Sequence, residues 1–473
     1  MIGHVLNLRP VSAAVLCVLT ATAAAQTQTT TTTFLYDANG NLTQVTDALG
    51  HVTKYGYDAL NRRTTITDAA TGVTRNTYDG QDQLTSVTDP RNVVTSYTID
   101  GLGNLTQTSS ADTGTATRTY DDAGNIKSST DAKGQITRYQ YDVLNRVTLV
   151  TYADNATCAY EYDQGANGIG RLTRLVDVNG GIAYAYDLHG RLILETRTVD
   201  GVNYATGYRY DGAGRLAGMT YPSGRSIDYA RDAMGRTIQI TTTTRDNVTT
   251  TLVSAVQYQP FGPAQAVTYG NGQVYRRSFD LDGRIASFTL GSQTQAITYD
   301  AASRITAIAD ASNAATGNSY GYDALDRLTS YVSPNVGQGY AYDAVGNRTQ
   351  KSNNGAVTGY SYGATSNRLT QAGSQPVAMD ANGSITNNTR NQFSYDARGR
   401  IVSALTSIGL VTYRINALGQ RVQKKTPLET TVFHYDGGGK LIAESTTSAS
   451  ASSAGTSIQE YVYLGDLPVA VLK

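Results

Sequence analysis

Residues 36–58 read YDANGNLTQVTDALGHVTKYGYD, and they contain one full unit of the repeat from which the chain is built. It opens on Tyr36-Asp37, turns at Gly40, runs through Asn41–Thr46 (NLTQVT), and turns again at Asp47 and Gly50. It then runs through His51–Tyr57 (HVTKYGY) into the next Tyr-Asp pair. Asp at the first position of a turn can accept a backbone N–H two residues on. Gly three residues later reaches positive φ without steric cost. The two features together describe a type I turn followed by a left-handed residue, a common hairpin connection. The runs between turns have ordinary strand length and are rich in Thr, Val and Tyr.

The same unit recurs along the chain. Asp37, Asp58, Asp79, Asp100, Asp121, Asp142 and Asp163 follow one another at a constant interval, and ten further copies start between Asp187 and Asp436. Degenerate copies at Gln259, Gly363 and Asn416 bring the total to 20. Tyr precedes the Asp in 13 of 17 units, the exceptions being Ile99, Arg231, Phe279 and Met379. The third position after Asp is Gly in 11, and otherwise Asn61, Asn145, Asp82, Asp326, Ser303 or Ala166. Asn and Asp are the residues after Gly that best tolerate positive φ. The structural turn positions are therefore Tyr36, Asp37 and Gly40; Tyr57, Asp58 and Asn61; Tyr120, Asp121 and Gly124; Tyr141, Asp142 and Asn145; and Tyr342, Asp343 and Gly346. A second aromatic often lies two residues before the Tyr, as in Tyr55/Tyr57, Tyr139/Tyr141 and Tyr340/Tyr342. Residues i and i+2 share a face of a strand, so these pairs stack into ladders along a meander. A sheet this long must twist and curl, and coiling it covers its edges. The expectation is an all-β chain of continuous antiparallel hairpin repeats, spiralling as a curved sheet.

Composition bounds the function. Lys+Arg and Asp+Glu are 38 each, which gives a net charge of zero and no basic excess for a nucleic acid. There are 34 Tyr, 6 Phe and no Trp. The amino terminus reads differently from the repeats. Val11–Thr20 (VSAAVLCVLT) is apolar and Ala23–Ala25 supplies a small-residue cleavage site, so 1–25 is expected to be a signal peptide. The apolar run is shorter than the ~20 residues needed to span a bilayer. Residues 26–33 then form a Thr-rich linker, 34–473 the array, and Ser445–Ser457 (STTSASASSAGTS) a flexible loop within it. An exported chain is expected to be secreted or held at the cell surface, with the periplasm as a further destination. Cleavage would leave Cys158 as the sole cysteine, so no intrachain disulfide is expected.

No catalytic, cofactor or metal motif appears. His51, His189 and His434 lie in distant repeats and read as surface or strand histidines, and Cys158 as a small strand residue. No G-x-S-x-G, P-loop or H-E-x-x-H is present. The Asp period indicates turns, not calcium. Arg62, Arg146, Arg191, Arg215, Arg236 and Arg284 read as solvated or cross-strand charges, and Gly437–Gly439 as a hairpin turn.

The pattern Tyr-Asp-x-x-Gly-(Asn/Arg)-(Leu/Ile/Val)-Thr, as in Tyr36–Thr43 (YDANGNLT) and Tyr322–Thr329 (YDALDRLT), resembles the YD repeats of Rhs proteins. Such repeats also occur in bacterial toxin-complex shells, wall-associated bacterial proteins and animal teneurins. Tyr258–Gly262 (YQPFG) is similar to an irregular unit of the same family. The resemblance covers about residues 34–473 and implies a partial or complete hollow β-shell that encloses or presents a toxin or surface polypeptide. Tyr461–Leu472 (YVYLGDLPVAVL) resembles the family segment before an Asp-His-Leu-Gly motif; neither that motif nor a variable toxin follows in this sequence. The expected role is a non-catalytic scaffold whose partner is a polypeptide cargo outside this chain. The alternative is a cell-surface adhesion or carbohydrate-binding repeat protein with glycan partners.

Overall fold

The computed structural model describes residues 31–450 and 456–473. The signal peptide and most of the Thr-rich linker fall outside the described residues. The first strand begins at Thr33. The described residues form 43 strands, paired antiparallel with their neighbours in sequence within runs of 33 and 10 strands. Turn chemistry sets each register. Tyr57 sits opposite Arg63 after a one-residue shift at Gly56/Tyr57, and Tyr141 opposite Val147 after a shift at Gln140/Tyr141. This is the bulge that a type I turn with a left-handed third residue imposes on a hairpin.

Two stretches depart from the sequence expectation. At Asp163 the left-handed residue is not Ala166; positive φ falls on Asp163, Gly165, Asn167 and Gly170, and the connection lengthens to Arg171. A methyl side chain disfavours the left-handed well, and the neighbouring Gly and Asn residues take it instead. In Ser445–Ser457, strand residues replace part of the expected loop. Ser445 pairs with Ile458, Thr446 with Ser457 and Thr447 with Thr456, because this Thr-rich stretch suits a pleated surface. Residues 451–455 of that segment lie outside the described residues.

The ribbon is thin at first and thicker later. Between residues 33 and 145 the one buried hydrophobic side chain is Val93. A small core forms at Val150, Cys158, Leu175 and Ile182. A larger one joins Tyr208, Met219, Tyr221, Ile227, Ile240 and Val253 to Ile442, Ala443 and Val462, from the far end of the chain.

The sequence gap bridged by that core is one revolution of a coil. Turns midway through the early repeats meet Tyr-Asp turns of the late ones along a seam. Arg91 donates to Gly363 O (2.8 Å) and Asn367 Oδ1 (2.7 Å), and Asn367 donates to Asp89 Oδ2 at 2.7 Å. Further along, Asn382 donates to Asp131 (2.7 Å), Arg398 pairs with Asp177 (3.1 Å), and Asn179 donates to Ile415 O (2.9 Å). The seam ends where Gly437 N–H donates to the Tyr208 hydroxyl (2.6 Å) and the Tyr221 hydroxyl to Tyr461 O (2.8 Å). Partners along it are separated by 221 to 278 residues.

Candidate functional site

The repeated turn is the unit from which the wall is built. Asp37 Oδ1 accepts N–H from Asn39 and Asn41, both at 2.9 Å, and Oδ2 accepts from Asn41 Nδ2 at 2.9 Å. Asp58, Asp121, Asp142 and Asp343 make the same two backbone contacts. These bonds favour the ionised form and hold the carboxyls of Asp37, Asp58, Asp121 and Asp142 below the usual range. For Asp142 the main cause is the Arg146 N–H, with the Arg146 side chain adding to it. At the third position φ is +84° at Gly40, +61° at Asn61, +80° at Gly124, +59° at Asn145 and +89° at Gly346.

Each tyrosine hydroxyl reaches back across a strand. Tyr57 donates to Leu42 O (2.9 Å), Tyr120 to Leu105 O (2.8 Å), Tyr141 to Ile126 O (2.9 Å) and Tyr342 to Leu328 O (2.9 Å). Tyr36 lies in the first strand with no described strand before it, and it is exposed.

The arginines after the turns do more than the sequence indicated. Arg62 Nε contacts Asp58 at 2.7 Å and its guanidinium lies 4.9 Å from the Tyr78 ring of the next repeat. Arg146 pairs with Asp142 (2.6 Å) and stacks on Tyr162 (4.4 Å); Arg191, Arg236 and Arg284 repeat the arrangement on Tyr210, Tyr258 and Tyr299. They are stitches from one unit to the next, and cation–π geometry sets their direction. The offset from each Arg to the following Tyr was the available signal, but it reads as the repeat period alone until the strands are paired. Arg215 keeps its pair with Asp211 (2.8 Å), but the next ladder position holds Arg231.

Two clusters invite a chemical reading. Asp47, His51 and Asp326 bring one ligand atom each within 4.8 Å, a juxtaposition made by the coil and invisible in sequence. His51 Nδ1 is bonded to Asp47 Oδ2 (2.9 Å) and Asp326 to Arg304 (2.7 Å), so both carboxylates already have partners. His434 is 3% exposed, and its Nε2 lies 2.8 Å from Ser445 Oγ with the Tyr204 ring 4.5 Å away. Burial, with Arg197 nearby, pulls its pKa down to about 4. The adjoining cavity is about 50 Å³, too small for a substrate, and Nδ1 has no acid to orient the ring among the described residues. His189 lies in an exposed turn, and Cys158 is fully buried, with burial raising its thiol pKa. Gly437–Gly439 form a hairpin turn, as φ +83° at Gly439 requires.

A larger cavity of about 690 Å³ lies where the late strands close over the early ones. Leu216, Met219 and Ile442 line it together with Tyr229, Arg231 and Arg277. No described helix is long and apolar enough to cross a membrane.

The RHS Repeat family model matches residues 36–73, 78–115, 120–157, 196–226 and 210–249, and the Teneurin YD-shell model matches 292–437. No curated protein matches the sequence. Among solved structures, the crystal structure of TcdB2-TccC3 is 17% identical with a TM-score of 0.77, over 93% of this chain and 28% of that one. TcdB2-TccC3-Cdc42 is 18% identical with a TM-score of 0.76, over 93% and 28%. A Tc holotoxin pore from Photorhabdus luminescens is 17% identical with a TM-score of 0.76, over 91% and 27%. The chain thus spans less than a third of the length of these structures, and at this identity the likeness is one of fold.

Proposed function

The chain belongs to the RHS/YD-repeat family, and on that premise we propose that it is an exported, non-catalytic scaffold whose coiled wall encloses or presents a polypeptide. The observation that carries this reading is the seam. A flat sheet would need no contacts between residues 221 to 278 apart; a wall that must exclude its surroundings does. One solved structure that shares the fold is described as a Tc holotoxin pore, which supports a toxin or another polypeptide as the occupant. The apolar Val11–Thr20 run followed by Ala23–Ala25 supports export, to the surface or the medium.

The adhesion reading draws less support. The tyrosines entering the Tyr-Asp turns after the first unit have their hydroxyls committed to backbone carbonyls, and many rings are covered by arginines, which leaves few free faces for a sugar. The test is to purify the protein from the cells that make it, digest the native particle with protease, and identify surviving fragments by mass spectrometry. A second polypeptide that survives in the intact particle and is lost once the particle is unfolded is the expected result. Immediate digestion of everything except this chain would overturn the proposal.

A further inference from the structure

At two positions on either side of the Tyr258 unit the repeat breaks its own rule. Residue 231 is Arg where the unit has Tyr, and residue 277 is Arg where many units carry the second aromatic. Arg231 keeps the bond that the tyrosine would make. Its Nη2 donates to Leu216 O at 2.7 Å, as Tyr210 donates to Leu192 O (2.8 Å) and Tyr258 to Thr237 O (2.7 Å) in the flanking units. The remaining Nη contacts are Gly235 O (3.1 Å) and Thr237 Oγ1 (2.9 Å). The substitution therefore leaves the wall's bonding intact and adds one positive charge.

Both arginines line the 690 Å³ cavity. Arg236 and Lys440, which also line it, are paired with Asp232 (2.8 Å) and Asp466 (3.0 Å). Arg231 and Arg277 pair with no carboxylate among the described residues, and Nε of each is buried without a hydrogen-bond partner. A half-buried cation without a counter-ion is costly, and the neutral tyrosine used elsewhere would avoid that cost. Leu216, Met219 and Ile442 add apolar lining, and the carboxylates of Asp436 and Asp466 line it as well. A cavity of this volume suits a small ligand or a few residues of chain.

We propose that this cavity is an anion-binding site for a carboxylate-bearing peptide segment. An Asp or Glu side chain would enter the cavity that Arg231 and Arg277 line, with a neighbouring aliphatic side chain against Leu216, Met219 and Ile442. The anion site stands on this geometry; the peptide as its carrier rests on the scaffold reading.

The test is calorimetric titration of the full chain with acetyl-Leu-Asp-Leu-amide, its Asn twin and sulfate. The Asp peptide binds, the Asn twin binds at least about tenfold more weakly, and Arg231→Tyr and Arg277→Tyr each weaken the Asp peptide about tenfold or more. Arg231→Tyr installs the residue that the repeat uses elsewhere, so it folds, and circular dichroism checks this. Equal binding of both peptides, unchanged affinity in both variants, or sulfate binding without peptide binding overturns the assignment. The protease-protection experiment is independent of the cavity, so a failure here leaves the scaffold reading to its own test.

Discussion

Arg398→Met should open the coil locally. Arg398 is 7% exposed in its side chain, and it bridges Asp177 (3% exposed, 3.1 Å) on the early coil to Asp396 (13% exposed, 2.7 Å) on its own turn. Its Nη2 also reaches Ile415 O at 3.3 Å, and the Tyr152 ring lies 5.7 Å away. Met keeps much of the volume and removes the charge. Asp177 then retains the Asn179 N–H at 2.8 Å but loses its cation, which leaves a buried carboxylate without a counter-ion. Breaking a buried pair from one side costs about 3–5 kcal/mol, which is roughly two to four orders of magnitude in a local opening constant. Because a repeat wall need not unfold in one step, a melting midpoint is a poor gauge. Native-state hydrogen exchange by mass spectrometry is better. Protection in the strands Leu172–Asp177 and Ile401–Thr406 should fall by at least about a hundredfold, with the strand Val52–Tyr57 unaffected. Adding Asp177→Asn should restore part of the loss, because it removes the stranded charge. Unchanged protection, or a double variant in which the two losses simply add, would show that the Arg398–Asp177 pair does not hold the seam.

Other outcomes follow from single contacts. His434 is held near pKa 4 against 6.5 when unfolded, so its contribution is full above about pH 6.5 and is lost as pH falls to about 4. That amounts to about 3 kcal/mol, and His434→Phe should flatten the pH dependence of urea unfolding over this window. Tyr141→Phe removes the bond to Ile126 O and should cost about 1 kcal/mol, read as faster exchange in Ile126–Thr130. Gly346→Ala at φ +89° should destabilise by about 1–2 kcal/mol in urea unfolding. Asn145→Gly at φ +59° should stay within about 0.5 kcal/mol of the parent.

Local chemistry was legible and global placement was not. Asp37, Gly40 and Asn61 announce their turns because an Asx contact and a left-handed residue are decided within a single turn. The ladder is equally local, since i and i+2 share a face. The seam was hidden because it depends on the circumference of the coil. Asp177 and Arg398 look like ordinary turn residues, and nothing short of the coil's pitch places them in contact. The same holds for Asp326 beside His51. Arg231 lay between these cases. It was visible as an exception to the Tyr rule, but its meaning required the cavity. The Ala166 turn failed for a local reason, since adjacent Gly and Asn residues offered the chain an easier route.

Limited proteolysis of the full-length protein, mapped by mass spectrometry, tests the continuous coiled wall most directly. A resistant core extending from the first strand at Thr33 to the carboxyl-terminal strands is expected in the parent protein, with cleavage spreading inward once Arg398→Met opens the seam. A ladder of fragments stepping by one Tyr-Asp unit at a time, from the parent protein itself, would contradict it.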